Sequence, residues 1–64
     1  MRDPKRIKKV LNTIERVWNK VPDWRLGQLI VNATKQNDPF YVDDNDLIVK
    51  LDDIEKNVID KDVT

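Results

Sequence analysis

The first third of the chain carries an apolar stripe that leaves little choice of fold. Ile7, Val10, Leu11, Ile14, Val17, Trp18 and Val21 follow one another at three- and four-residue steps. At 100° per residue they cover an arc of about 120°. Only an α-helix gathers such a set on one side, and a helix with one apolar side must lie against something. Asp3-Pro4 opens this helix: the carboxylate accepts an N-terminal amide bond, and proline suits a first helical position. Pro22 biases Val21 away from the helical region, so the first helix is predicted over residues 4–20.

Two more helices follow from the same logic. Asp23 is expected to cap a second helix over 24–36, with Leu26, Leu29, Ile30 and Ala33 inward and Asn37-Asp38-Pro39 closing it. Phe40-Tyr41-Val42 is too short for a sheet and has no partner strand, so residues 38–42 are expected to form a short extended link that lays one aromatic ring on the core. Asp43 is expected to cap a third helix over 44–57, with Asp44 and Asp46 at its favourable positive end and Leu47, Ile48, Leu51, Ile54 and Val58 inward. Residues 1–59 are thus expected to make one all-α, three-helix domain, and the polar residues 60–64 a frayed tail.

Sixty-four residues bury only about 60% of the surface that the unfolded chain exposes. Stability is therefore expected to be marginal, and association would help it. Cysteine is absent, which removes disulfides and thiolate chemistry and fits a cytoplasmic protein. The opening MRDPKRIKKV is charged, with no apolar run behind it, so neither a signal peptide nor a membrane span is expected.

The missing side chains also narrow the chemistry. Without histidine or serine there is no usual general base, no usual zinc ligand and no Ser-His or Cys-His nucleophile pair. One glycine does not make a phosphate-cradling loop. The run DDNDLIVKLDDIE invites comparison with a calcium loop. Counted from Asp44, however, the fifth position is Ile48 and the sixth Val49, where that loop needs a ligand and a glycine. Neither an enzyme, a cofactor nor a metal site is expected.

Three surfaces remain for contact. The formal charge is zero overall, yet residues 1–36 hold nine basic and three acidic side chains (+6) and residues 37–64 three basic and nine acidic ones (−6), so the two halves attract each other. Lys5, Lys9, Arg16 and Lys20 lie on the face of the first helix opposite its stripe, over about 22 Å. That is long enough to touch several phosphates of a nucleic acid. A second feature is electrostatic. Lys5, Arg6, Lys8 and Lys9 crowd the positive end of the first helix, and Asp52, Asp53 and Glu55 lie near the negative end of the third, both against the helix dipole. The third is the second helix, where Trp24, Gly27 and Val31 fall opposite the inward stripe. With Tyr41, they outline a patch for a protein partner or a second copy, the glycine allowing close approach. These surfaces predict a protein-binding or self-associating module, with a charge-driven nucleic-acid binder as the alternative.

Read together, PDWRLGQLIVNA and DPFYVDDNDLIVKL resemble a group of short bacterial and phage proteins known as YihD-like. The resemblance runs over residues 7–51 through Trp18, Pro22, Asp23, Leu26, Leu29, Asp43, Asp44, Leu47 and Ile48. It implies a small cytosolic all-helical domain and carries no activity, substrate, cofactor or partner with it.

Overall fold

The computed structural model describes residues 3–60. Among them the chain forms three α-helices and no strand: α1 (Lys5–Trp18), α2 (Leu26–Thr34) and α3 (Asp44–Ile54), the last continued by a π-helical turn, Glu55–Ile59. The all-α, three-helix reading is what the structure shows, with shorter helices than the apolar spacing suggests. Of the expected tail, Asp60 is ordered against Lys20, and the remaining four residues lie outside those described.

Each helix end has a local cause. At the start of α1 the Lys5 N–H donates to Asp3 Oδ1 at 2.9 Å, which places a carboxylate at the positive pole. Its last turn tightens, with Lys20 N–H donating to the Val17 carbonyl and Val21 N–H to that of Trp18. The Trp18 indole N–H then donates to the Trp24 carbonyl at 2.7 Å, tying down the connecting loop. The chain re-enters a helix only at Leu26, where Gln28 Oε1 accepts the Arg25 N–H at 3.4 Å. Asp23, expected to cap this helix, lies outside it. Lys35 ends α2 in the left-handed region at φ 59°, a helix-terminating conformation. The Thr34 hydroxyl donates to the Ile30 carbonyl at 2.9 Å beside it.

The connection from α2 to α3 is not extended. Pro39–Tyr41 form one 3-10 turn, in which Asp38 Oδ1 accepts the Phe40 N–H at 3.2 Å and the Val42 N–H returns to the Pro39 carbonyl. The proline's fixed φ and the aspartate's local bond favour a turn over a strand here. Neither ring reaches the core as expected: Phe40 is 79% and Tyr41 88% exposed. At Asp43 the backbone, not the side chain, starts α3, its carbonyl accepting the Leu47 N–H at 2.9 Å.

Val17, Leu29 and Leu51, one from each helix, are fully buried; Ala33, Ile54 and Ile59 complete the core, and Ile14, Trp18, Val21, Trp24 and Leu47 pack around it. The third helix is the central one, lying against both α1 and α2. The π-turn matters for register. Its extra residue per turn leaves Val58, expected inward, half-exposed and turns Ile59 into the core. No side-chain polar atom is buried without a partner among the described residues.

Candidate functional site

The charges of α1 and α3 are matched side by side. Arg6 pairs with Asp44, Arg16 with Asp52 and with Glu55 at 3.3 Å, and Lys20 with Glu55 at 3.2 Å and Asp60 at 2.8 Å. The partners advance together along both segments, so α1 and α3 run parallel. Of the charges that oppose the dipole of their own helix, Arg6, Asp52 and Glu55 are therefore paired with the neighbouring segment at the same end, so part of the attraction between the basic and acidic halves is met within one molecule. Glu55 is the buried member, its side chain 11% exposed between two cations. Hydrogen bonding to Glu55, and then to Asp52, holds the Arg16 guanidinium above its ordinary pKa. Bonds to Asp60 and then Glu55 do the same for the Lys20 ammonium.

This pairing breaks the expected nucleic-acid face. Of Lys5, Lys9, Arg16 and Lys20, the last two are engaged with acidic side chains, and Lys5 and Lys9 alone form no ion pair among the described residues. Two cations one turn apart are a small electrostatic footprint for a polyanion.

The expected patch on the second helix is also corrected. Trp24 is not on α2 at all: it sits in the loop before it, half-buried against the core, with its carbonyl held by Trp18. Val31 is half-buried and Gly27 exposed, while Tyr41 meets Phe40 edge to face at 4.9 Å. Gly27 is the second residue of α2, not its middle, and a Cβ built there meets nothing within 4 Å. The glycine makes room for nothing in this chain. Trp24, Gly27, Val31 and Tyr41 do not share one helical face, because the loop removes Trp24 from it.

The uncovered apolar surface lies elsewhere. On α1, Val17 is completely buried, whereas Ile7 is 51% and Leu11 57% exposed. Val10 between them is half-buried. The cause is rotational. At 100° per residue Ile7 and Leu11 lie about 80° and 120° around the helix from Val17. The helix packs on α3 and buries the side that carries Thr13 and Val17, which leaves the Ile7–Leu11 edge of the stripe bare. Lys8 and Glu15, both exposed, border this bare edge on its solvent side, within about 60° of Leu11 at 100° per residue. The stripe itself gave no hint of the exposure, since periodicity reports an apolar side about 120° wide and not which part of it a neighbour covers.

No helix among the described residues is long and apolar enough to cross a membrane. Nor do the described residues bring three or more potential ligands together in a way that could hold a metal. No family model, curated protein or solved structure matches the chain. What it does must be read from its own surface.

Proposed function

We propose that the chain is a small protein-contact module whose working surface is the N-terminal half of α1. The observation that carries this reading is the break in burial along one stripe, from a fully buried Val17 to Ile7 and Leu11 that are more than half exposed. Two large aliphatic side chains one turn apart, half-buried Val10 beside them and charged Lys8 and Glu15 at the border, have the composition of an apolar centre with a polar rim. The exposed pair Phe40 and Tyr41 adds a second point of aromatic contact on the same small domain. Binding through such a surface depends on apolar burial, so its affinity holds or rises with added salt.

The test is Leu11→Lys. A contact residue that the fold does not need can be made charged without loss of stability, so the unfolding free energy should stay within the roughly ±0.5 kcal/mol range of surface substitutions and the thermal midpoint should barely move. Binding of an apolar dye such as anilinonaphthalene sulfonate to the dilute folded protein should fall. A large drop in the midpoint would mean that Leu11 is core and the reading is wrong. Duplex DNA binding that weakens steeply with salt and disappears on Lys5→Ala and Lys9→Ala would put the working surface on the charged face instead.

A further inference from the structure

We infer that the occupant of the bare edge is a second copy of this chain, with its α1 laid antiparallel on the first. The inference rests on the reading of this half of α1 as a contact face and adds the partner and the register. It is carried by the two charges at the rim. Lys8 and Glu15 lie seven residues apart on the same border of the stripe, both exposed, and neither forms an ion pair among the described residues. Their own spacing, about 10 Å along the helix, keeps them from meeting within one α1.

Twofold symmetry brings them together between copies. When two identical helices pack antiparallel about a twofold axis perpendicular to both, the same border of each lies next to its counterpart, running the opposite way. With the axis between Leu11 and Asn12, Lys8 of each copy stands opposite Glu15 of the other, giving two identical opposite-charge pairs. The same register sets Leu11 against its symmetry mate and drops each Ile7 over the Ile14–Trp18 end of the other stripe. The apolar match and the charge match thus occur at one alignment. A parallel pair puts the same border of the two copies on opposite sides of the contact, so Lys8 and Glu15 would not meet. The formal net charge of zero adds no overall repulsion between copies. A contact between two helices of about four turns is smaller than the roughly 800 Å² per partner of a standard interface, so the dimer is reversible and depends on concentration.

The experiment is sedimentation equilibrium of the whole chain and three variants, Lys8→Glu, Glu15→Lys and the double swap, each checked for unchanged helicity. The wild type should show a monomer–dimer equilibrium. Each single swap replaces two opposite-charge pairs with two like-charge pairs and should weaken dimerisation by about tenfold or more. The double swap re-creates both pairs with reversed sign and should restore the wild-type constant to within a few-fold. A general effect of surface charge would not produce that rescue. A wild type that is monomeric at every concentration, single swaps without effect, or a double swap no better than the singles would each overturn the inference. The contact-face reading fails separately, by a fall in stability on Leu11→Lys. A monomer that passes that test has an open face with a different occupant.

Discussion

The two halves of α1 share one apolar stripe and differ in everything around it. In the C-terminal half, Val17 is fully buried, Trp18 is hydrogen-bonded to the loop, and Arg16, with Lys20 just beyond the helix, joins the acidic end of the α3 segment. The N-terminal half has one ion pair, Arg6 to Asp44, and leaves Ile7 and Leu11 in solvent. The side chains alone do not explain the contrast, because both halves are apolar. Position around the helix does: Val17 shares the inward side with buried Thr13, and Ile7 and Leu11 lie on the other edge of the stripe.

The sharpest way to break the comparison is to truncate one side chain in the core and one on the bare edge of α1. Leu29→Ala removes a fully buried α2 residue of the core, and should cost about 2–5 kcal/mol. That is enough to unfold much of a domain this small at room temperature, which a chemical denaturation curve would register. Leu11→Ala, on an exposed residue, should change the same curve by under about 0.5 kcal/mol. Equal losses would erase the distinction.

The charged side of the comparison gives a smaller effect. Glu55→Gln removes the acid shared by Arg16 and Lys20 and should lower stability by about 0.5–1 kcal/mol at low salt, the difference shrinking as salt is added because both cations are largely exposed. A further change should act in the opposite direction. Gly27→Ala, at an open position in the first turn of α2, should raise stability by less than the roughly 0.5–1 kcal/mol of a helix interior. It should leave association unchanged; if association falls, close approach at Gly27 is part of the contact after all.

The smallest expected signal is in the alkaline limb. Lys20 holds its proton more tightly when folded, through Asp60 first and Glu55 second. Its contribution to stability is therefore fully present below the ordinary lysine value of about 10.4 and is lost as pH rises through the higher folded-state value. Comparing thermal midpoints of the wild type and Lys20→Met across that range checks it. The difference between the two should narrow as the pH passes the folded-state value.

Much of the fold was legible in the residues. Three helices, the inward positions Val17, Leu29, Ala33, Leu51 and Ile54, and the attraction between a basic first half and an acidic second half all follow from spacing and charge; Leu26, expected inward, is 41% exposed as the first residue of α2. The helix ends were less so, because loop hydrogen bonds such as that from Trp18 to the Trp24 carbonyl are tertiary and move Trp24 off the helix its apolar neighbours suggest. The π-turn that exchanges Val58 for Ile59 is likewise invisible to a period of 3.6. The site was hidden for a related reason. Exposure of Ile7 and Leu11 is a property of which edge of its stripe α1 turns inward, and the ion pairs that consume Arg16 and Lys20 depend on α1 and α3 being parallel neighbours.

Amide hydrogen exchange along α1, followed as a function of protein concentration, tests the division of this helix most directly. In dilute solution the account predicts strong protection around Val17 and weak protection around Ile7 to Leu11, with protection of the weak half rising as concentration rises and that of the other half unchanged. Uniform protection along the whole of α1 at the lowest concentration, with no response to raising it, would contradict the account.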